Sequence, residues 1–229
     1  MSRTHAIAWA ALAAAVCGGC VVQSLSPFFT ESLRIEVSGV EGKWLLTKNV
    51  GSDVKEPVKP WVIERAKNSP PPWYSVTSYD VDNVEGILAA IFYKVGDDLY
   101  CDISSHRGGL ENRYWRFNLI QTHVLGKVVL KDDVLRFEML SRDWIEEALQ
   151  RKEIDLPVVR RGRGGVILNA TSKDWVAFLE KHAKTDGVFD THRVTELKRI
   201  PEPAPGEKRA PEDKDPPKVE KDIDGSTNK

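Results

Sequence analysis

Between residues 86 and 140 the chain is organised as two paired runs joined by short acidic turns. Residues 86–95 are almost continuously apolar, stop at Gly96-Asp97-Asp98, and resume at residues 99–104. Residues 114–130 form a second long apolar run, which turns at Lys131-Asp132-Asp133 into the alternating residues 134–140. Apolar runs of strand length that meet across Gly/Asp turns are the pattern of β-hairpins, because those residues tolerate the backbone angles a tight turn demands. A chain with two such hairpins at its centre is constrained to an antiparallel sheet.

The flanking residues extend that reading. Leu33-Arg34-Ile35-Glu36-Val37 alternates, residues 43–48 follow Gly42, and Trp61–Arg65 is a third short strand. Pro70-Pro71-Pro72 forces an extended link, and residues 73–79 follow as a strand. Two helices interrupt the strands late in the chain. Ser141 is a suitable N-cap, Asp143 suits the first-turn dipole, and Trp144, Ile145, Ala148 and Leu149 share one apolar face. After a short strand at residues 166–170, Thr171 with Asp174 has the spacing of a capping box. Trp175, Phe178, Leu179 and His182 then form one stripe, and residues 193–200 close the domain as a last strand. The expected fold is mainly β (α+β): an antiparallel meander closing into a β-barrel, with two helices near the C-terminal end of the domain covering an open end or one flank.

The N-terminus has the three parts of a secretory signal. Arg3 and His5 form a basic start, and residues 6–16 are an apolar run too short to span a bilayer, which takes roughly 20 helical residues. Gly18 and Gly19 then precede Cys20. A small residue before the cysteine lets a signal peptidase approach the backbone, and the thiol is the handle for diacylglycerol. Cys17 competes for this role, but Val16 before it is β-branched and bulkier than Gly19. Cys20 is thus the expected lipidation site and mature N-terminus, and two or more acyl chains give stable anchoring where one does not. Val21 stands where an Asp would favour inner-membrane retention, so the expected location is the bacterial cell envelope, at the outer membrane where a cell has two. The domain plan is a signal peptide at 1–19, a lipidated tether at 20–31, the barrel at 32–200, and a tail at 201–229. That tail holds six prolines and fourteen charged side chains and lacks the apolar residues needed to offset its ordering entropy.

Gln23-Ser24-Leu25-Ser26-Pro27-Phe28-Phe29-Thr30-Glu31, directly after the lipidation site, resembles the opening of a group of uncharacterised bacterial lipoproteins. Gly42-Lys43-Trp44 is similar to the G-x-W of the lipocalin first strand. Residues 96–103, the strand containing His123, Asp143-Trp144 and residues 168–172 also look like that group, so the likeness spans roughly residues 20–200. The resemblance implies a secreted, lipid-anchored, lipocalin-like β-barrel. It implies no catalytic residue. It further implies a late arginine over Trp44, a place open to Arg193 or Arg199, and the two helices before the last strand depart from the lipocalin plan.

The residues available for chemistry are few. With Cys20 acylated and Cys17 removed, Cys101 stands alone and no intramolecular disulfide can form. Alternation puts Cys101 on one face with Leu99 and Ile103, as a small buried hydrophobe. His106, His123, His182 and His192 have no metal-ligand spacing, so neither metal nor cofactor is expected. His182 ends the helical stripe as half-buried packing. His123 is expected to face the barrel interior with Leu119, Gln121 and Leu125, as a hydrogen-bonded core histidine rather than a ligand or catalyst. Trp44, Trp61, Trp73 and Trp115 lie in or beside strands, where they either fill a core or line an apolar cavity together with His123. No nucleophile elbow or phosphate loop is present, and a net charge of −1 argues against nucleic acid. Arg160-Arg161-Gly162-Arg163 reads as a solvated hairpin tip, with anionic lipid as the alternative contact. The expected partners are therefore a membrane, reached through the acyl chains, and either a small apolar ligand or another envelope protein. The expected role is non-enzymatic.

Overall fold

The computed structural model describes residues 21–49, 52–53, 59–66, 72–79, 85–105, 120–162 and 165–201. The described strands are β1 (Val22–Ser24), β2 (Gly42–Asn49), β3 (Ser52–Asp53), β4 (Trp61–Arg65), β5 (Tyr74–Tyr79), β6 (Glu85–Val95), β7 (Asp98–Ser105), β8 (His123–Lys131), β9 (Val134–Leu140), β10 (Val158–Gly162), β11 (Gly165–Leu168) and β12 (Phe189–Arg199). Helix α1 (Arg142–Gln150) follows β9, and α2 (Ser172–His182) follows β11.

Eight of these strands close a barrel. β2, β4, β5, β6, β7, β8 and β9 pair in sequence order, and β12 pairs with both β9 and β2 to complete the ring. All eight pairings are antiparallel. The expected lipocalin-like barrel is thus present, and the two-helix insertion before the last strand does not prevent closure. The acidic turns form as expected. Gly96 takes a positive φ between β6 and β7, and Asp132 and Asp133 both do so between β8 and β9.

Alternation along the strands sorts side chains into an inner and an outer set. The inner set includes Trp44, Leu46, Ile63, Tyr74, Val76, Ala90, Phe92, Cys101, Val128, Leu135, Phe137 and Leu197 in one buried cluster. Gly126 belongs to this face, opposite Cys101, and lies against the Phe137 side chain. Cys101 is fully buried with Leu99 and Ile103 packed around its cluster, as its alternation implied.

The outer face of β6, β7 and β8 is buried as well. Tyr93, Val95, Tyr100 and Leu125 join Val22, Phe28, Phe29, Leu140, Trp175, Phe178 and Phe189 in a second core. Its cover is a small side sheet, in which β1 pairs in parallel with β11 and antiparallel with the start of β8, and β10 closes the outer edge. β8 therefore forks: His123 and Val124 pair with β1, whereas residues 126–131 pair with β9. Helices α1 and α2 pack against this layer through Ile145, Ala148, Trp175, Phe178 and Leu179.

Two early readings change. Residues 33–37 do not form a strand. Glu31–Leu33 is a 3₁₀ turn, and the next residues meet the barrel wall through single links: the Arg34–Tyr93 bridge, the Ile35 N–H to Phe92 carbonyl bond and the Val37 N–H to Tyr74 hydroxyl bond. Their alternation survives because Ile35 and Val37 pack against the barrel core. The segment expected to be a lipidated tether at 20–31 is, from Val22 onward, packed into the fold: Val22 and Phe28 are at most 1% exposed. The tail beyond Pro201 lies outside the described residues.

Candidate functional site

One end of the barrel is sealed around Trp44. Its indole N–H donates to the Val40 carbonyl at 2.9 Å, and the Arg199 guanidinium stacks over the ring at 4.2 Å from the centroid. Arg199 also donates to the carbonyls of Glu41 (2.8 Å) and Gly39, and its Nε lies 3.1 Å from Asp133 Oδ1. Gly42 is required here, because it takes φ +128° and a Cβ would meet Arg199 Nη1 at 2.9 Å. The G-x-W of β2 is thus half of a two-part lock. Of the two arginines open for the other half, the structure selects Arg199; Arg193 instead pairs with Asp190 at 3.6 Å.

Of the residues expected to line a cavity, the structure places Trp44 and Trp61 side by side at the barrel core and His123 on the other face of the wall. Trp44 is fully buried in the barrel core. Trp61, opposite it in the β2–β4 ladder, is half-buried against that core and donates its indole N–H to the Tyr79 carbonyl at 2.8 Å. Trp73 sits just before β5, half-buried, and Trp115 lies outside the described residues. His123 faces outward. Val128 and Leu130 on β8 belong to the barrel core, so two-residue alternation turns His123 and Leu125 toward the second core. The expected grouping of His123 with Leu125 holds, but on the opposite face; Leu119 lies outside the described residues.

On that outer face His123 enters a polar clasp around the N-terminal segment. Its Nδ1 lies 2.7 Å from Oδ1 of Asp102, which is 1% exposed. Asp102 Oδ2 accepts the Phe28 N–H at 2.9 Å. Ser24 Oγ, also buried, accepts the Trp175 indole N–H at 2.9 Å and the Ser26 N–H at 3.1 Å. The Ser172 hydroxyl donates to the Pro27 carbonyl at 2.8 Å. Around these bonds the aromatic rings form two series. Phe28 lies 4.5 Å from Trp175, Phe29 5.7 Å from Tyr93, Tyr93 5.6 Å from Tyr100, and Trp175 5.6 Å from Phe178. Burial pushes the Tyr93 hydroxyl and the Cys101 thiol well above their ordinary pKa values, and the nearby Asp102 carboxylate adds to both shifts. A thiol so held is a poor nucleophile. His182, half-buried at the end of α2 beside Trp144 and Phe178, has its pKa lowered chiefly by burial.

The clasp carries no sequence signature, because Ser24, Asp102, His123 and Trp175 are separated by long stretches of chain. A weak signal existed in β7, where Asp102 falls among Leu99, Tyr100, Cys101 and Ile103 and Ser104 follows. Asp102 and Ser104 both prove buried. Among the described residues no group of three or more His, Cys, Asp or Glu is placed to hold a metal ion, and no helix is long and apolar enough to cross a membrane. A cleft of about 240 Å³ lies on the surface beside α2, lined by Ile154, Leu156 and Phe178 with Glu153, Lys181 and His182.

Comparison of the chain with protein families, curated proteins and solved structures gives no match.

Proposed function

We propose that the chain is a bacterial envelope lipoprotein, acylated on Cys20, whose filled barrel serves as a structural or protein-interaction component rather than as a carrier. The observation that supports this reading most is the content of the barrel. Trp44, Tyr74 and Phe92 are each at most 1% exposed and occupy the interior together with Ile63, Leu135 and Leu197. Tyr74 and Phe92 meet edge to face at 5.2 Å. An eight-stranded barrel has an interior just wide enough to be filled by side chains, so large aromatics there compete directly with any ligand. The polar clasp supports a structural role, since the two carboxylate oxygens of Asp102 tie His123 and the Phe28 backbone together.

Two measurements test the proposal. Labelled palmitate fed to an expressing bacterium is expected in the protein and lost in Cys20→Ala; label retained in that variant would overturn the anchor. A fluorescent fatty acid titrated into the delipidated protein is expected to show no saturable signal. Saturable binding that weakens in Trp44→Ala or Phe92→Ala would restore the carrier reading, in which the barrel takes a small apolar ligand.

A further inference from the structure

We propose that the cleft beside α2 binds a short peptide with free ends, held extended between Asp174 and Lys181 with one aliphatic side chain on the cleft floor. This site lies outside the barrel and does not depend on how the chain is anchored.

The cleft has two walls, which fix its length. One is a face of α2, where Asp174, Ala177, Phe178, Lys181 and His182 follow the spacing of a single helical stripe. The other is the loop that leaves α1. It alternates in exposure: Glu153 and Asp155 are exposed, whereas Ile154 and Leu156 are 8% and 7% exposed. This loop runs antiparallel to α2. Glu153 lies near His182, whose pKa its carboxylate raises against the larger effect of burial. Four residues on, the Pro157 carbonyl accepts the Asn169 N–H at 2.8 Å, just ahead of α2. Lys181 stands seven helical residues beyond Asp174, a rise of about 10 Å. An extended chain covers about 3.3–3.6 Å per residue, so three residues span that length.

Charge sits at the two ends and apolar surface between them. At the start of α2, Asp174 takes both Thr171 bonds on Oδ2, at 2.9 and 2.7 Å, which leaves Oδ1 to receive an ammonium group. The same bonds hold its pKa below the ordinary carboxylate value, so it stays ionised. On the facing wall Asp155 is in no ion pair among the described residues, whereas Glu153 is matched by Arg151 at 3.7 Å. The unmatched carboxylates therefore lie on the Asp174 side of Glu153. At the other end Lys181 is exposed and in no ion pair among the described residues, a partner for a carboxylate. His182, beside the rings of Trp144 and Phe178, has its pKa lowered chiefly by burial and leaves Lys181 as the cation of that end. Between the ends, Ile154, Leu156 and Phe178 form the floor of a cleft of about 240 Å³. Neighbouring side chains of an extended peptide point to opposite sides. A tripeptide whose ends meet Asp174 and Lys181 thus directs only its middle side chain at this floor.

The test is a titration of the purified protein with the tripeptide Ala-Leu-Ala, followed by backbone amide NMR shifts. Saturable shifts confined to residues 153–156 and 174–182 are expected. N-acetylation or C-terminal amidation of the peptide removes one end charge and should weaken binding by about two- to fivefold, the worth of an exposed ion pair. Ala-Gly-Ala should bind at least about tenfold more weakly, because it places nothing on the floor. Lys181→Gln should make the protein indifferent to amidation of the peptide while preserving its response to acetylation. Ala177→Leu fills the middle of the cleft from an exposed helical position, and should abolish the shifts without lowering the melting temperature. No saturable shift, or shifts centred elsewhere, would overturn the site. Equal binding of the doubly blocked peptide would overturn the recognition of both ends, and shifts reproduced by butylamine or butyrate alone would assign the cleft to a lone ion and overturn the peptide.

Discussion

At the scale of single residues, Asp102 organises the join between the N-terminal segment and the barrel wall. It is a carboxylate at 1% exposure, and it is tolerated there because Phe28 N–H and His123 Nδ1 meet its two oxygens. Asp102→Ala removes both acceptors and leaves the buried Phe28 amide without a partner. Bonds to a charged acceptor contribute about 1.5–3 kcal/mol each, so a loss of about 3–5 kcal/mol is expected in urea titrations. Asp102→Asn keeps one acceptor oxygen for Phe28 and should fall between wild type and alanine. An alanine variant as stable as wild type would mean that the clasp contributes nothing. Trp44 and Arg199 show a different relation to the sequence. G-x-W was legible as a strand opening, yet the arginine that completes it was one of two. Only the β12 register, which sets Arg199 opposite Trp44, decides between them.

At the scale of elements, local signals were read well and facing was not. The acidic turns, the Ser141 cap and the Thr171–Asp174 box all form as spaced. In the box, Thr171 Oγ1 accepts the Asp174 N–H at 3.3 Å, and Asp174 Oδ2 accepts the Thr171 N–H at 2.9 Å. Thr171→Ala should cost about 1 kcal/mol. The hydrogen bonds from Thr171 hold the Asp174 pKa below the ordinary carboxylate value. Its contribution is therefore fully present above the unfolded-state pKa, about 4, and fades as pH falls through the lower folded value. Thermal melts should show the wild-type advantage over Asp174→Ala shrinking over that acid range; an advantage constant with pH would assign it to helix propensity instead. The strands were harder. β6 reads as a nearly continuous apolar run because both of its faces are buried, one by the barrel core and one by the side layer, and the start of β8 is covered on both faces in the same way. Such a strand shows which residues share a face but not which face is inside, and this is why His123 was assigned to the interior. β1 and β10 were missed for a related reason. A three-residue strand such as β1 has too few positions to show a period, and β10 places two valines beside two arginines with no alternation at all.

At the scale of the whole molecule, the N-terminal segment is the keystone between two cores. β1 fills the fork between β8 and β9, and Phe28 and Phe29 pack on Trp175 and Tyr93. Fully burying an apolar side chain contributes about 1.5–3 kcal/mol. Val22, Phe28 and Phe29 together thus account for a large share of the 5–15 kcal/mol typical of a domain. A chain beginning at Ile35 keeps all eight barrel strands but loses this layer. It is expected to bind a hydrophobic dye through the uncovered Tyr93 and Tyr100 faces, and its amides in β11 and α2 should exchange far faster than those of β6 and β7. At the other end, the last described backbone bond runs from the Ile200 N–H to the Lys43 carbonyl at 2.9 Å. A chain ending at Pro201 should therefore melt at the same temperature as the full chain. The two truncations are informative as a pair. Removing the N-terminal segment without loss would make it a tether outside the fold, as its sequence suggested. Loss on removing residues 202–229 would move the domain boundary beyond residue 200. The expected outcome, a sensitive N-terminus and a dispensable tail, would start the folded core at Val22, two residues after the proposed acylation site.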